Sequence, residues 1–424
     1  MIKTLSRREF LQFTGAAAAL SAAGCATAPA KPKARVVVIG GGFGGATTAK
    51  YLRLWDPGVE VILVERENAF TSCPMSNLVI GGLAKIEQVR HGYDGLRKYG
   101  VQLVFDEARA VDADKRVVRL ARGGELTYDR LVVAPGIDFN FDEIAGYREA
   151  MQAQRVLHAW KAGEQTLALR RQLEAMPNGG VVAIAIPAAP YRCPPGPYER
   201  ACLVADYLKK AKPRSKVLIL DGNADVISKG PLFKRAWEDL YKGMIEYRGG
   251  QKVLAVDPKT GQLKLEVDDV KADVVNVIPP QRAGDIAVAA KLTNVGNRWC
   301  GVNWRTAEST AVKGVHVVGD STASAPLMPK SGSMANQHGK LVASAIIALI
   351  NGQTPNPTPK IANTCYSFVA EKEAIRVSSV HTWNEKENTL TTVAGSGGVS
   401  AARNAMEVDY AWAWANAIWA DTLS

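Results

Sequence analysis

Cys193 stands at an unusual point of the chain, inside the stretch IPAAPYRCPPGPYERA at residues 186–201. An apolar segment predicted as a strand (181–186) precedes it, and a segment predicted as a helix (199–209) follows it. In nucleotide-binding folds a glycine-rich loop cradles phosphates at such a strand–helix junction. Prolines have no N–H and a fixed φ, so this loop lacks the donors that a pyrophosphate needs. We therefore predict a stiff loop that presents one thiol and is unsuited to NAD(P)H.

The cysteine content limits the chemistry further. The six cysteines are Cys25, Cys73, Cys193, Cys202, Cys300 and Cys365. No CxxC, CxxCH or Cys/His metal spacing occurs, so the sequence predicts no haem attachment and no metal site within this chain. Cys25 falls in a predicted export leader, which leaves five thiols in an oxidising compartment. Because five is odd, at least one thiol stays outside any intramolecular disulfide. Cys202 is expected to lie in the core.

A glycine-rich turn near the N-terminus has the full setting of a dinucleotide site. Its three GxGxxG glycines are Gly40, Gly42 and Gly45. A β-branched strand is predicted before them (35–39) and a helix after them (46–54). The first glycine permits a tight turn, the second lets pyrophosphate approach the backbone, and the third lets helix and strand pack closely. The next predicted strand (59–64) leads to Glu65, whose carboxylate can accept hydrogen bonds from an adenosine ribose.

Two later patterns distinguish FAD from NAD. YDRLVVAPG (128–136) is predicted as a strand that ends in a turn of small residues, and VHVVGD (315–320) as a strand that ends in Gly-Asp. Both resemble patterns of flavoproteins with two dinucleotide folds, in which the late aspartate binds the ribityl chain. Asp320 has the right chemistry, since a carboxylate accepts from a hydroxyl; a helix N-cap is the alternative. The sequence therefore predicts FAD, in a domain that resumes after a middle segment.

Six short sequence motifs together resemble those of one protein family. They are GGGFGG, TSCPMSNLVIGG, RCPPGPYE, VVGD, MPKSG and NTCYS. In this combination the sequence closely resembles the flavoprotein subunits of flavocytochrome c sulfide dehydrogenases, over essentially the whole chain after its leader. The resemblance implies an α/β fold of the disulfide-reductase type, with two Rossmann-like domains and a C-terminal α+β domain.

The resemblance and the order of the motifs predict five segments. They are an export signal (1–30), the first part of the FAD-binding domain (31–146), a second Rossmann-like domain lacking an NAD loop (147–285), the second part of the FAD-binding domain (286–355) and a C-terminal flavin-proximal domain (356–424).

The resemblance also assigns roles to three cysteines. It implies that Cys193 and Cys365 form a redox-active disulfide over the flavin; Cys300 is the alternative partner. A structural disulfide or two unrelated thiols remain open from the residues alone. It implies that Cys73 is joined covalently to the 8α-methyl group of the flavin, which accounts for the odd thiol. Pro74 departs from the family pattern, because a bulkier residue is expected there.

Two charged residues complete the predicted site. Glu199 opens the predicted helix after Cys193, where an acidic residue suits the helix dipole. The resemblance implies instead a carboxylate near flavin and disulfide that exchanges protons with sulfide. Lys330, in MPKSG, precedes a helix predicted to begin near Ser333, whose N–H groups suit the negative edge of reduced flavin. Lys330 is expected to add positive charge there; a surface lysine is the alternative.

The implied activity is that of a sulfide:cytochrome-c oxidoreductase. Sulfide opens the disulfide, and electrons pass through FAD to a separate c-type cytochrome subunit, since this chain has no haem motif. A sulfide:quinone oxidoreductase is the first alternative, and the export signal and Cys73 argue against it. A cytochrome-binding flavoprotein without turnover is the second, and the presence of both Cys193 and Cys365 argues against it.

The N-terminus is predicted to be a twin-arginine export signal. SRREFL (6–11) precedes an alanine-rich apolar run (14–24) that is too short to span a bilayer. A frayed helix is the alternative. AAGC, ending at Cys25, is also a weak lipoprotein signal that would tether the protein through lipid. The predicted location is the periplasm, with no transmembrane segment in the mature chain.

The net charge excludes one class of partner. The chain has a formal charge of +11, but its lysines and arginines are scattered rather than massed in one tract. This distribution gives no indication of nucleic-acid binding. The excess is explained by general solubility or by attraction of an acidic partner or anionic substrate.

Overall fold

The computed structural model describes residues 31–424, and a five-stranded parallel sheet organises its N-terminal part. In spatial order the strands of this first sheet are Val315–Val317, Arg130–Val133, Ala34–Ile39, Val59–Glu65 and Gln102–Phe105. The central strands are rich in valine and isoleucine, and Val36, Val37 and Val38 are fully buried. Such apolar runs are typical of parallel strands covered on both faces. The predicted export signal and Cys25 lie outside the described residues.

Two separated parts of the chain build the first sheet. Val315–Val317 pairs in parallel with Arg130–Val133, although the second sheet lies between them in sequence. The chain thus leaves the first sheet, forms the second and returns. This path suits a discontinuous FAD-binding domain, while the domain limits given above stay predictions.

A second parallel sheet follows Arg130–Val133 along the chain. In spatial order its strands are Ile245–Gly249, Lys216–Asp221, Val181–Ile186 and Val274–Val277. The helix Gly196–Ala211 connects the two central strands and begins directly after the proline-rich loop, with Pro197 in its first turn. Proline suits that position because the first N–H groups of a helix have no partner within the helix. The loop with Cys193 therefore lies at the carboxyl end of a central strand.

The C-terminal part is an antiparallel sheet followed by a helix. Lys360–Ala370 pairs with Glu373–Asn384 over nearly their whole length, and Thr389–Thr392 and Gly398–Val399 pair with the second of these strands. The helix Met406–Leu423 follows.

The remaining elements described within residues 31–424 complete the fold. The remaining strands are Ala69–Thr71, Arg90–Gly92, Ala108–Asp112, Val117–Leu120, Glu125–Thr127, Ile137–Phe139, Ala255–Val256, Leu263–Lys264, Asp269–Val270, Gln281–Ala283, Thr293–Val295 and Trp299–Cys300. The remaining α-helices are Phe43–Trp55, Ser76–Gly81, Asp94–Arg97, Tyr147–Gln152, Glu164–Ala175, Gly230–Leu240, Asp285–Ala289 and Gly332–Ile350. Three short 3-10 helices are Ile86–Val89, Phe141–Glu143 and Gly319–Ser321.

A buried lysine fixes the helix Met406–Leu423 against the helix Phe43–Trp55. Lys50, on the helix Phe43–Trp55, donates to the backbone oxygens of Ala420 (3.2 Å), Asp421 (2.9 Å) and Ser424 (2.6 Å). A cation at a helix C-terminus satisfies carbonyls that have no partner within the helix and complements the dipole. This contact holds the helix Met406–Leu423, and with it Trp414, in place.

The predicted fold class is confirmed, as a mixed α/β protein with two parallel Rossmann-like sheets and a C-terminal α+β part. Within residues 31–424, no helix is long and apolar enough to cross a bilayer.

Candidate active site

One cavity brings together side chains from distant parts of the chain. Its volume is about 780 Å³, counting the space that opens to solvent. Cys73, Cys193, Glu199 and Cys365 all line it. Four of the residues singled out by the sequence therefore meet at one place, although no short-range contact along the chain requires it.

The backbone aims Cys193 into this cavity. Cys193 has a positive φ of 59°, an uncommon conformation for a residue with a side chain. Its N–H donates to the carbonyl of Lys330 at 2.8 Å, which ties the loop to the segment before the helix Gly332–Ile350. Gly196 leaves room for the sulfur, because a Cβ there would lie 2.8 Å from Cys193 Sγ and 2.8 Å from the Trp160 ring.

Cys365 reaches the cavity from the strand Lys360–Ala370. Its Sγ donates to Asn363 Oδ1 at 3.4 Å, and the Ser331 hydroxyl donates to the same oxygen at 2.7 Å. Ser331 in turn caps the helix Gly332–Ile350 by accepting from Met334 N–H at 3.1 Å. Cys365 is thereby linked to the N-terminus of that helix.

Both sulfurs are thiols in this structure. None of the five cysteines within residues 31–424 forms a disulfide. Burial raises the pKa of Cys193, and the neighbouring Cys365 and Glu199 raise it further. Burial also raises the pKa of Cys365, against the opposing effect of Lys229. The disulfide between them stays a prediction for the oxidised protein.

Glu199 is held by two donors at the start of its helix. Its Oε2 accepts from Asn77 Nδ2 and its Oε1 from Phe368 N–H, both at 2.8 Å. Burial raises the pKa of Glu199 above its ordinary value, and these two hydrogen bonds oppose the rise. A carboxyl whose pKa is raised in this way can carry a proton closer to neutral pH.

Arg200 supports Glu199 through Asn77. It is one of the largest fully buried side chains and donates to Asn77 Oδ1 at 3.0 Å and to the carbonyls of His158 (2.9 Å) and Ala159 (2.7 Å). Its guanidinium lies 4.9 Å from the centre of the Trp160 ring. Arg200 thus orients Asn77, which orients Glu199.

Cys73 lies on the wall beside Trp160. Its Sγ is 3.6 Å from the Trp160 carbonyl oxygen, and it precedes the short helix Ser76–Gly81. Pro74 is accommodated without conflict, because Gly332 faces it and even a Cβ on Gly332 would stay 3.4 Å from the Pro74 ring. The position of Cys73 suits the predicted attachment of flavin, which stays a prediction.

The structure explains the presence of glycine differently at the three positions of the first turn. A Cβ on Gly40 would clash with the Ala134 carbonyl, and one on Gly45 would clash with the Gly40 carbonyl. At Gly42 the nearest atom to such a Cβ would be a carbon of Phe70, 4.0 Å away. Packing therefore requires Gly40 and Gly45, whereas Gly42 borders open space at the N-terminus of the helix Phe43–Trp55. That space fits a pyrophosphate.

Glu65 already has two backbone donors. Its Oε2 accepts from Gly41 N–H at 2.6 Å, and its Oε1 accepts from Glu67 N–H at 3.1 Å. These contacts hold the carboxylate at the end of its strand beside the glycine turn. Each oxygen retains a lone pair for a ribose hydroxyl.

Asp320 lines a smaller cavity of about 260 Å³, next to the main one. No hydrogen bond reaches its carboxylate from the described residues, while burial raises its pKa and Arg192 and Lys330 oppose the rise. On the wall of the main cavity, the buried Trp160 Nε1 likewise has no partner among the described residues. An acceptor and a donor without protein partners fit a polar cofactor such as FAD.

Lys330 is neither on the surface nor extended into the main cavity. It is 5% exposed, and its Nζ donates to the carbonyls of Asp320 (3.0 Å) and Thr322 while lying 3.7 Å from the centre of the Trp299 ring. Burial lowers its pKa to about 8. These contacts place the ammonium behind the Asp320 turn, and a direct contact with flavin stays a prediction.

The corresponding acid of the second sheet is fully engaged by the protein. Asp221 is completely buried, and its Oδ2 accepts from the Tyr198 hydroxyl at 2.6 Å and the Tyr247 hydroxyl at 3.1 Å. Its Oδ1 accepts from Asn223 N–H at 2.9 Å. A cavity of about 690 Å³ does lie at this edge, lined by the loop residues Pro187–Ala189 among others. Protein donors already engage both carboxylate oxygens of Asp221, and the loop is rich in proline. Both features support the prediction that NAD(P)H does not bind there.

Sequence reasoning missed three residues of the main site. Asn77 and Arg200 lie inside quoted motifs, but only the folded structure shows that they orient Glu199. Lys229 has no motif at all, yet its buried Nζ donates to Ser367 Oγ at 2.8 Å and to the Cys365 carbonyl at 3.3 Å. No signal in the sequence distinguishes Lys229 from the exposed lysines.

Family models match three parts of the chain. The model "Sulfide dehydrogenase (flavocytochrome c) flavoprotein chain, central" matches residues 166–279, and the model "Flavocytochrome c sulphide dehydrogenase, flavin-binding" matches residues 357–423. A pyridine nucleotide-disulphide oxidoreductase model matches residues 34–184.

Individual proteins are similar over different lengths. The flavoprotein chain of sulfide dehydrogenase (flavocytochrome c) from Chlorobaculum thiosulfatiphilum is 67% identical over 45 residues, which are 11% of this chain and 94% of that sequence. The sulfide-quinone reductase of Aquifex aeolicus is 27% identical over 358 residues, 79% of this chain and 81% of that protein. A crystal structure of the sulfide:quinone oxidoreductase from Aquifex aeolicus superimposes with a TM-score of 0.75 at 22% identity, covering 92% of this chain and 91% of that one. This likeness shows a shared fold.

The open space beside Gly42 yields a test of the cofactor site. We expect Gly42→Ala to fold normally, since nothing blocks the new methyl group, but to lower flavin affinity on the order of tenfold or more by filling the phosphate space. Because the predicted covalent link would hide a weaker affinity, both variants are made in the Cys73→Ala background, and the measurement is flavin bound per polypeptide, with circular dichroism as the check on folding. Gly92→Ala is the matched control, because its Cβ also meets no atom within 4 Å. Full flavin content in Gly42→Ala would contradict this placement of the pyrophosphate.

The raised pKa of Glu199 gives a prediction for stability against pH. The protonated carboxyl stabilises the fold below the ordinary glutamate pKa of about 4.3, and this contribution is lost as pH rises through the raised pKa. Glu199→Gln cannot ionise at this position. The melting temperature of the wild-type protein minus that of Glu199→Gln should therefore fall as pH rises from 4 towards 8.

Melting curves of both proteins across this range, with the exposed Glu149→Gln as control, provide the measurement. A melting-temperature difference that stays constant, or one that moves in favour of wild type as pH rises, would show that burial does not raise this pKa.

Proposed function

The chain belongs to the family of flavocytochrome c sulfide dehydrogenase flavoprotein chains, and from this premise we propose that it oxidises sulfide through a Cys193–Cys365 disulfide and passes the electrons through FAD to a c-type cytochrome. At the coarser level it is a sulfide-oxidising flavoprotein of the flavocytochrome c or sulfide:quinone type. The observation that carries the proposal is the meeting of Cys193, Cys365, Glu199 and Cys73 on one cavity.

Hydrosulfide opens the disulfide by attack on one of its sulfurs. A new S–S bond forms between the substrate and that cysteine, the Cys193–Cys365 bond breaks, and the other cysteine leaves as a thiolate. The cysteine that was attacked becomes a persulfide. Two-electron oxidation then re-forms the Cys193–Cys365 bond and breaks the bond between the cysteine and the substrate sulfur, which leaves at the oxidation level of elemental sulfur while one proton and an electron pair are released. FAD, when bound, supplies the acceptor for that pair and the means to release single electrons.

The residues of the cavity move and place protons around this exchange. Glu199 sits in the same cavity as both sulfurs, and its raised pKa suits it to take the proton of the hydrosulfide or persulfide. Asn77 donates to the Glu199 carboxylate and Arg200 donates to Asn77, so these two side chains fix the orientation of Glu199. Gly40, Gly42, Gly45 and Glu65 would hold the adenosine diphosphate part of FAD, and Asp320 the ribityl chain.

Several finer features belong to the same proposal. Cys73 forms the covalent link to the flavin, because it lies on the wall of the cavity that the cysteine pair shares. The cytochrome is a separate subunit, and the protein is exported through its twin-arginine signal to the periplasm, where lipidation of Cys25 would tether it to a membrane.

Quinone is the second candidate acceptor. The 27% identity to a sulfide-quinone reductase over 81% of that protein supports it. The two acceptors make different demands, since a quinone takes an electron pair at a membrane and a cytochrome takes single electrons.

Sulfide reduction of the purified holoprotein tests the proposal. Sulfide should bleach the flavin spectrum, and cytochrome c should restore it faster than a water-soluble quinone does. Cys193→Ser and Cys365→Ser should each lower the rate of sulfide-driven bleaching by on the order of 10³-fold, because either change removes the disulfide.

Cys300→Ala is the control, since Cys300 is buried outside the cavity. A faster return with quinone would favour the second acceptor. Bleaching that persists at the wild-type rate without Cys193 or Cys365 would refute the disulfide route.

A further inference from the structure

Opening the disulfide creates an electrostatic problem inside the cavity. The step leaves one sulfur anionic, but burial raises the pKa of both cysteine thiols and so disfavours their thiolates. Glu199, on the same cavity, adds a repulsive charge whenever it is ionised. A thiolate in such surroundings needs a nearby cation.

Lys229 supplies a buried cation beside the strand that carries Cys365. It is 6% exposed, whereas a lysine ordinarily extends its ammonium to water. Its Nζ donates to the Cys365 carbonyl at 3.3 Å and to Ser367 Oγ at 2.8 Å, so the ammonium is fixed to the strand that carries Cys365. Lys229 also adopts a left-handed backbone conformation, with φ at 56°, at the entry to the helix Gly230–Leu240.

The other charges around the two sulfurs are engaged differently. Arg192 donates to the Trp160 carbonyl and acts on Cys193 and Asp320. Arg200 directs four of its five N–H groups to Asn77, Asn276 and the carbonyls of His158 and Ala159. For Cys365 the opposing influences on its pKa come first from Lys229, then from the polar Ser331 and Asn363, with Glu199 acting the other way.

The surroundings of Lys229 itself are anionic or sulfur-bearing. The ionisable groups that interact electrostatically with its ammonium are Cys365, Glu199, Cys193 and, from the C-terminal helix, Glu407. Burial lowers the pKa of Lys229 to about 8, so the side chain is mainly cationic at neutral pH and loses its charge in mildly alkaline solution.

We propose that Lys229 is a positioning residue for the redox pair, whose buried ammonium stabilises the anionic sulfur of Cys365 when the disulfide is open. The place of Lys229 in turnover rests on the proposed function. Its effect on the Cys365 sulfur does not, because it can be measured on the reduced protein without sulfide or an electron acceptor.

The test is the pH dependence of Cys365 alkylation. The holoprotein is reduced with a phosphine under anaerobic conditions and treated briefly with iodoacetamide from pH 5 to 10. The extent of labelling at each cysteine is then read by peptide mass spectrometry. Since only the thiolate reacts, the labelling rate at each pH reports the thiolate fraction of that cysteine, and pH 7 is the deciding point because Lys229 is still mainly cationic there.

In Lys229→Met the labelling of Cys365 at pH 7 should slow roughly tenfold, which corresponds to a thiol pKa about one unit higher. Lys229→Arg should recover most of the wild-type curve. Lys234→Met is the matched control, because Lys234 is an exposed lysine on the helix that follows and pairs with Asp225. Its Cys365 curve should match that of wild type.

A Cys365 curve in Lys229→Met that coincides with the wild-type curve would overturn the proposal. If Lys229→Met does not fold, as judged by labelling of the core residue Cys202, Ser367→Ala replaces it, since loss of the Ser367 hydroxyl loosens the ammonium. Slower labelling of Cys365 at pH 7 in that variant supports the proposal, and an unchanged rate at pH 7 overturns it. Slower Cys365 labelling at pH 7 in Lys229→Met, found for a protein that does not oxidise sulfide, would separate the two hypotheses and leave this one intact.

Discussion

The segment Lys330–Ser331 is the point on which the candidate site depends. The Lys330 carbonyl accepts from Cys193 N–H at 2.8 Å, and the Ser331 hydroxyl donates to Asn363, which also accepts from the Cys365 thiol. One short stretch thus holds two cysteine-bearing elements that are far apart in the chain. Because the same stretch leads into the helix Gly332–Ile350 and supports the Asp320 turn, the predicted redox pair and the predicted flavin contacts share one scaffold.

The cavity combines this scaffold with buried charge that costs stability. Glu199, Arg200 and Lys229 lie where ions are disfavoured, and burial shifts the pKa of each towards its neutral form. Each is compensated by fixed hydrogen bonds, which is the condition for keeping a charge in a protein interior. Such an arrangement has little value for folding, but it suits a site where protons and anionic sulfur must be handled away from bulk water.

Much of this could be predicted from the sequence, where local chemistry is decisive. The glycine turn, the strand leading to Glu65 and the strand before the proline-rich loop follow from patterns of neighbouring residues. The helix after Cys193 begins at Gly196, three residues earlier than predicted, because proline is tolerated in a first turn. The burial of Lys330 behind Asp320 and the contact of Lys229 with the Cys365 strand depend on tertiary packing. No pattern along the chain could have indicated them.

The meeting of Cys193 and Cys365 is tested most directly by mapping disulfides in the oxidised holoprotein. Free thiols are blocked, the protein is digested without reduction, and linked peptides are identified by mass spectrometry. The account predicts one cross-linked pair that joins the Cys193 and Cys365 peptides, with Cys202 and Cys300 recovered as blocked thiols. Recovery of Cys193 and Cys365 as blocked thiols in an oxidised, sulfide-reactive preparation, or a link between Cys193 and Cys300, would contradict it.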